Sequence, residues 1–452
     1  MKIENNLDSD NIKQLVWRLA IPSMIAQFVS VLYSIVDRMY IGNIAVIGEN
    51  ALAGVGVCGP IVTLISAFSF LVGAGGAPLM SIKLGQKKEE EAKEILSNCF
   101  VVLCIIIVAL SVLAFLLKDN LLMWFGASES IFAYANEYLT IYLCGTFFAL
   151  MTMGMNQFII CQGYAKKGMM AVIIGAVLNI ILDPIFIFVL HMGVKGAAIA
   201  TVLSQMFSCI YVLHILLSKK IPIKITWRRL QSSIVKKVLL IGLSPFFIVA
   251  SDSILIIGLN ALLQRYGGVA QGDKLIACAT IVQSFMLIIT MPLAGITGGT
   301  QTILGYNYGA NRPERVMRAE KHILLLSMGF TGIMFIIAHT IPEYFVYLFT
   351  QNPEYVKLSV WAIKVYSLMI IPLAIQYTVV DGLSGMGIAR FAITLSLFRK
   401  IIFMIGIFIL PRYFDVTAIF YAEPICDVIS AISSSLFYMF GIKKILYRGA
   451  VL

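Results

Sequence analysis

Charged residues are scarce in this chain. Of its 452 residues only 13% are Asp, Glu, Lys or Arg, whereas 60% are hydrophobic. Ordinary soluble domains carry about 25% charged residues. A soluble protein of this size could not hide so much apolar surface from water, so the composition excludes a soluble domain and indicates that lipid is part of the solvent.

The sequence also lacks the motifs of metal, redox and nucleotide chemistry. The eight cysteines show no CxxC spacing and lie almost entirely in apolar runs, and the four histidines are scattered. Two glycine-rich segments, GAGGAP and GITGGT, lack the Lys-Ser/Thr of a phosphate-binding loop. We therefore expect neither an enzyme nor a cofactor, and we expect an ion gradient to supply the energy for any transport.

Long apolar runs separated by short polar loops dominate the chain. Each run is long enough to cross a bilayer as a helix. The sequence therefore predicts an all-α integral membrane protein with twelve transmembrane helices, near residues 15–41, 52–81, 94–117, 131–160, 168–191, 194–217, 235–264, 275–303, 319–340, 356–380, 391–410 and 416–442. An even number of crossings places both termini on the same side.

Basic residues are distributed unevenly over the predicted loops. If the termini are cytoplasmic, most of the 34 Lys and Arg residues fall in cytoplasmic segments, as the positive-inside rule requires. We therefore expect a multi-pass protein of the cell membrane with both termini in the cytoplasm. This arrangement also accounts for the net charge of +11 without a nucleic-acid partner.

The two halves of the chain repeat one plan. Pro22 and Pro245 are separated by the same number of residues as Gly75 and Gly298, each of which begins a Gly-Gly pair. A long basic loop at 218–237 follows the sixth helix and resembles a linker between parallel repeats. The predicted domains are two pseudo-symmetric six-helix lobes, an N-lobe (1–217) and a C-lobe (238–452), joined by a cytoplasmic linker (218–237). Such lobes favour alternating access over a fixed pore.

Few ionisable side chains fall inside the apolar runs, where each one costs at least about 2.5–3.5 kcal/mol. In the first half the acids are Asp37 in helix 1 and Asp183 in helix 5, and Asn179 lies one turn before Asp183 on the same face. Tyr138 in helix 4 and Thr201 in helix 6 reach a similar depth, roughly 7–12 Å inside the outer boundary at 1.5 Å per residue. Four helices thus carry oxygen-bearing side chains in one layer.

The residues alone leave the chemistry of this layer open. Two carboxylates with hydroxyl, amide and carbonyl oxygens suit a hard cation such as Na⁺, whereas two carboxyl groups held close together would retain a proton. Pro184 frees the carbonyl of Ile180, because it has no N–H to donate. Alternatively, these are unrelated polar groups near helix ends whose side chains reach water.

The pattern resembles the multidrug and toxin extrusion (MATE) transporters of the prokaryotic type over essentially the whole chain. The resemblance is carried by the two six-helix halves, by Pro22 and Asp37 in helix 1, by NIILDPIFIF (179–188) and by GVKGAAIATVLSQ (193–205). The Asn-x-x-x-Asp-Pro segment followed by a Gly-Ala-Ala helix is the most specific of these features.

The resemblance implies roles for particular residues. It implies that helix 1 bends at Pro22 when the ion site changes its state. It implies a cation-binding and coupling site at Asp37, Asn179, Asp183 and Thr201, completed by Tyr138 and the carbonyl of Ala197, with Na⁺ or H⁺ as the coupling ion. It also implies a substrate cavity near Asn156, Asp252 and Gln376, although Asp252 could equally be an ordinary packed or water-facing residue.

The second half departs from the family's pattern. Helix 10 of some relatives carries a buried acid, but here Gln376 is the polar residue nearest its middle, which puts a C-lobe cation site in doubt. Glu423 and Asp427 in helix 12 are one turn apart. They either line the C-lobe or pair with Arg399 or Lys400 of helix 11, and we favour the pairing.

The sequence therefore predicts a monomeric, cation-coupled antiporter that exports small amphipathic, often cationic compounds and contacts membrane lipids. A flippase for lipids or lipid-linked saccharides is the alternative of related shape, and it would need a strongly basic cavity. The basic residues in or near the predicted helices are few: Arg38, Lys364, Arg399 and Lys400. Uptake by symport is a further alternative.

Overall fold

The computed structural model describes residues 5–44, 47–125, 127, 129–218 and 221–448, and it contains helices and short connections with no β-strand in those ranges. Eleven helices of this part of the chain are long and apolar enough to cross a membrane, and one bent pair forms a twelfth. The prediction of an all-α protein with twelve crossings is confirmed.

The first six helices are α1 (Ile12–Gly42), α2 (Gly48–Gly85), α3 (Glu89–Trp124), α4 (Glu129–Ile160), α5 (Ala165–Val189) and α6 (Gly193–Leu217). The last six are α7 (Ser232–Gly268), α8 (Lys274–Gly309), α9 (Pro313–Thr340), α10a with α10b (Pro353–Tyr366 and Ile370–Gly385), α11 (Ala389–Tyr413) and α12 (Val416–Tyr447). A short helix, Pro342–Val346, precedes α10a.

Several helices extend beyond the predicted apolar runs. α2 ends at Gly85 and α8 at Gly309, where the sequence predicted ends near 81 and 303. Hydropathy marks only the apolar part of a helix, whereas backbone hydrogen bonds continue through its polar ends. Helical geometry also continues between α7 and α8, with a kink at Gly268, whose φ of 62° a glycine adopts without a Cβ clash.

The tenth crossing was predicted as one continuous helix and is instead bent by 50° between α10a and α10b. Pro372 explains the break, because it has no N–H for a hydrogen bond to the preceding turn. In the first turn of α10b that donor is not required, so the proline is tolerated there.

The buried apolar residues form separate clusters. The largest draws its members from residues between Ile41 and Ile241, and a second draws them from residues between Leu255 and Cys426. A third joins the first turns of α1, including Leu15 and Leu19, to residues of α8, α9, α10b and α11. The start of α1 therefore packs against the second half of the chain, although α1 belongs to the first half.

Glycines bring α2 into backbone contact with α7 and α8. A Cβ on Gly242 would lie 1.8 Å from the carbonyl oxygen of Leu71, and one on Gly75 would lie 2.3 Å from the carbonyl oxygen of Val238. Nearer the helix ends, a Cβ on Gly85 would lie 1.9 Å from the carbonyl oxygen of Tyr306. Only glycine permits this approach, which joins the two halves along α2.

The segment before α1 ties the same end of the molecule together. The Asp8 carboxylate pairs with Arg312 at 2.5 Å, and Arg315 donates to the backbone carbonyls of Leu7 and Asp10 at 3.3 Å and 3.1 Å. Asn5 donates to the carbonyl of Gly163 at 2.7 Å. This segment therefore bonds both to the α4–α5 turn and to the start of α9.

Gly242→Ala should destabilise the protein by about 1–3 kcal/mol, because the new methyl group overpacks the contact with α2. Gly258→Ala is the matched control in the same helix, since no described residue outside its own helical turn has an atom within 4 Å of the added Cβ. The control should change stability by less than about 1 kcal/mol. Thermal unfolding of the purified proteins in detergent measures both, and equal shifts would contradict the packing described here.

Candidate functional site

Two acids from different helices meet inside the first half of the molecule. Asp37 lies near the end of α1 and Asp183 near the end of α5, and their carboxyl groups approach within hydrogen-bonding reach of each other. The side chain of Asp183 is completely buried, and Asp37 is partly buried. Two carboxylates at this separation repel each other in a dry pocket, so the pair requires a shared proton or a bound cation.

Asn179 and Thr201 join the acids as predicted. The Asn179 side-chain amide donates to Asp183 Oδ1 at 3.1 Å and lies 3.4 Å from Thr201 Oγ1. Both residues are buried. The one-turn spacing of Asn179 and Asp183 therefore places them on the same inward face of α5, against α6.

Three buried oxygens of this cluster have no hydrogen-bond partner among the described residues: Asp37 Oδ1, Asn179 Oδ1 and Asp183 Oδ2. Buried polar atoms in proteins are nearly always paired, so three such acceptors in one place require an explanation. All three are oxygen acceptors on a pair of acids and an amide. A proton or a hard cation such as Na⁺ is the ligand that such oxygens bind.

The Asp-Pro sequence shapes the backbone beside the cluster. Regular α-helix ends at Pro184, and residues Ile185–Val189 continue as a wider π-helical turn. Proline removes a backbone donor, and helices accommodate such a loss by a local change of hydrogen-bond register. Asp183 thus lies at the junction between the two helical forms.

Tyr138 supports the cluster from α4. Its hydroxyl is within hydrogen-bonding reach of Thr201, and its ring stacks on Tyr142 with centroids 6.3 Å apart. Ala197 is completely buried in the first turns of α6. The structure therefore brings the helices of the predicted layer together, with Tyr138, Thr201, Asp37 and Asp183 on four of them.

Two further residues near the cluster were missed in the sequence. Tyr33 is close enough to both acids to interact with them electrostatically, and Gln205 is within hydrogen-bonding reach of Tyr142. Each lies one helical turn from a predicted residue, Tyr33 before Asp37 and Gln205 after Thr201. An i, i+4 search outward from the acids could therefore have found both.

Pro22 is buried within α1, and the helix continues through it from Ile12 to Gly42. It lies within the contact with the second half of the chain, because Ser23 and Met24, which follow it, still approach Gly295 of α8. Arg38, adjacent to Asp37, is exposed.

The three predicted cavity residues lie apart from one another. Asn156 is buried and donates to the carbonyl of Gly168 at 3.2 Å, which links α4 to α5. Gln376 is buried between α10b, α11 and α12, where it donates to the carbonyl of Leu395 at 3.1 Å and accepts from Ser434. Asp252 of α7 is half-exposed and pairs with Lys400.

Comparison with known proteins adds independent information. The MatE family matches residues 22–185 and 250–409, one segment in each half of the chain. The multidrug export protein MepA of Staphylococcus haemolyticus strain JCSC1435 is 23% identical over 430 residues, covering 94% of this chain and 92% of that protein. MepA of Staphylococcus aureus strain MSSA476 is 24% identical over 424 residues, covering 92% and 91%.

A solved structure shares the fold over nearly the whole length. An outward-facing multidrug resistance MATE family transporter of the MOP superfamily superposes with a TM-score of 0.92 at 23% identity, covering 99% of each chain. The family match spans most of the chain and repeats in its two halves, as the paired prolines and glycines do. The chain therefore belongs to the MatE family of membrane transporters.

Proposed function

We propose that this protein is a cation-coupled antiporter that exports small amphipathic, often cationic compounds in exchange for Na⁺ or H⁺. The observation that carries the proposal is the pair of buried acids, Asp37 and Asp183, with unpartnered oxygens around them. The substrate class is taken from relatives that are named multidrug export proteins.

The ion site has a physical requirement that makes it suitable for coupling. Without a positive ion, two carboxylates in a dry pocket are strongly unfavourable together, so the ion-free site favours separation of α1 from α5 or entry of water. Binding of Na⁺ or H⁺ removes that repulsion and favours the packed arrangement. The ion therefore has different affinities for two conformations, which is the condition for driving a change between them.

α1 is the element that could transmit this change. Its end carries Asp37, whereas its first turns, with Leu15 and Leu19, pack against the second half of the molecule. Pro22 lies within this contact, between Leu19 and Asp37, and weakens the helix there because it removes one backbone hydrogen bond. A displacement of Asp37 can then move one part of α1 while the other part remains anchored.

The proposed orientation determines to which side of the membrane the structure is closed. With cytoplasmic termini in the cell membrane, the ends of α2 and α8 face the cytoplasm, where Gly85 and Gly309 bring the halves into backbone contact. Asp8 and Arg312 lie at the same side. We therefore interpret the structure as closed to the cytoplasm.

The flippase alternative is less well supported by the geometry. A cavity for pyrophosphate would present free basic groups, but Arg399 and Lys400 are each paired with carboxylates. These pairs agree with the predicted pairing in helix 12. Of the three basic residues predicted in or near helices of the second half, Lys364 alone lacks a paired carboxylate among the described residues, so little positive charge is left there for an anionic head group.

Asp37→Asn and Asp183→Asn should each abolish gradient-driven export, because an amide cannot replace the second carboxylate. Asp119→Asn is the control, since this acid is exposed at the end of α3 and pairs with Lys118. Ethidium export by cells, with membrane insertion checked by size-exclusion chromatography, measures the effect. Full export by Asp37→Asn would refute the assigned role.

Imposing Na⁺ and pH gradients separately in vesicles identifies the coupling ion. The parent protein should export ethidium under one gradient or both, and Asp183→Asn should respond to neither. Export that is equally fast with no gradient would contradict coupling.

The orientation can be tested by labelling with a membrane-impermeant maleimide. Trp227→Cys lies in the linker and Tyr413→Cys at the end of α11, and the parent side chains are 92% and 74% exposed. In a cysteine-free background on intact cells, only the cysteine at 413 should react. Reaction at 227 would reverse the proposed topology.

A further inference from the structure

The second half of the molecule contains a buried cluster of opposite charges. Arg399 Nη2 of α11 lies 2.5 Å from Glu423 Oε1 and 2.9 Å from Asp427 Oδ1, both on α12. Arg399 Nε donates to the same oxygen of Asp427 at 3.2 Å. The three side chains are only 14%, 12% and 0% exposed, so their charges compensate each other away from water.

Lys400 completes the balance of buried charge. It is also largely buried, it pairs with Asp252 of α7, and its ammonium group is close enough to Glu423 to interact with it. Two buried cations thus face two buried carboxylates, while Asp252 is half-exposed. The buried part of the cluster is neutral without any added ion.

The cluster occupies the repeat counterpart of the ion site in the first half. In the repeated plan, α7, α11 and α12 correspond to α1, α5 and α6, which carry Asp37, Asp183 and Thr201. Thr201 and Glu423 are separated by the same number of residues as Val194 and Val416, which begin the two corresponding helices. Both sites therefore draw side chains from the same three helices of the repeat. α11 contributes Arg399 instead of an acid, and at the same spacings Asp37 and Asp183 correspond to Asn260 and Ile405.

The two sites differ in the source of positive charge. In the first half no basic side chain pairs with Asp183, among the described residues, and oxygens of the cluster lack partners. In the second half the guanidinium of Arg399 bonds both carboxylates, although Asp427 Oδ2 still lacks a hydrogen-bond partner in the described part of the chain. Arginine offers several donors in a fixed plane and does not lose its proton in proteins, so it neutralises the acids throughout a transport cycle.

We propose that Arg399 is a tethered cation that occupies in the second half the place taken by the mobile coupling ion in the first half. The proposal rests on the proposed function, because the mobile ion is identified there. The pairing of Arg399 with Glu423 and Asp427 does not depend on that function. It follows that Glu423 and Asp427 hold no mobile ion during a transport cycle. It also follows that removing the guanidinium creates a second cation site at Glu423 and Asp427.

The first experiment neutralises the cluster as a whole. Arg399→Met/Glu423→Gln/Asp427→Asn removes all three charges and leaves Lys400 paired with Asp252, a replacement that buried ionic clusters often tolerate. In proteoliposomes, an ion gradient is set against an ethidium gradient until the net ethidium flux is zero. The ratio of the two gradients at that point gives the number of ions exchanged per ethidium. This number should be the same in the parent and in the triple variant, and a lower number in the triple variant would overturn the proposal.

The second experiment tests for the cation site at Glu423 and Asp427 by thermal stability, without a transport assay. In an Asp37→Asn background the Tm of the purified protein should not depend on Na⁺, whereas adding Arg399→Gln should make the Tm rise as Na⁺ replaces choline. Arg399→Lys is the charge-conserving control and should remain insensitive to Na⁺. An Arg399→Gln variant that is as insensitive to Na⁺ as its background would overturn the proposal.

The two experiments separate the possible failures. If the parent exchanges no ions for ethidium but Arg399→Gln gains a Na⁺-dependent Tm, the antiport function is wrong and the tethered cation is supported. If the parent exchanges ions and the triple variant loses one of them, the antiport function stands and the tethered cation is wrong. Should either set of variants fail to fold, the other experiment decides alone.

Discussion

The structure depends on a pair of carboxyl groups that are held together where water is scarce. Asp37 and Asp183 come from helices far apart in the sequence, and their contact is unfavourable unless a positive ion lies between them. The packing of α1 against α5 is therefore linked to the state of the site. Because the start of α1 packs against the opposite half, the same linkage reaches across the molecule.

The two halves share a plan but balance their charge differently. The first half holds its two acids without a paired basic side chain, among the described residues, whereas in the second half Arg399 bonds Glu423 and Asp427, although Asp427 Oδ2 lacks a partner there too. A cluster with its own cations has no need of an external ion and resists separation of its helices. In the proposed mechanism, the first half responds to the ion gradient through Asp37 and Asp183, whereas the Arg399 cluster keeps its charge.

Much of this arrangement could be predicted from the sequence. Apolar runs gave the number of crossings, and the one-turn spacing of Asn179 and Asp183 correctly placed them on one inward face. The break in the tenth crossing was missed because its two parts together read as one apolar run long enough to cross a membrane, with Pro372 as the mark of the bend. The contact of Gly242 with the Leu71 carbonyl could not be predicted, since a sequence does not say which backbone lies opposite a glycine.

A double-mutant cycle on ion affinity tests the central claim most directly. The affinity for the coupling ion is measured for the parent, Asp37→Asn, Asp183→Asn and the double variant. If both carboxyl groups hold one ion, each single substitution removes nearly all of the affinity and the second adds little, which gives a large coupling energy. Additive losses, each small, would show that the two acids act separately and would contradict the account.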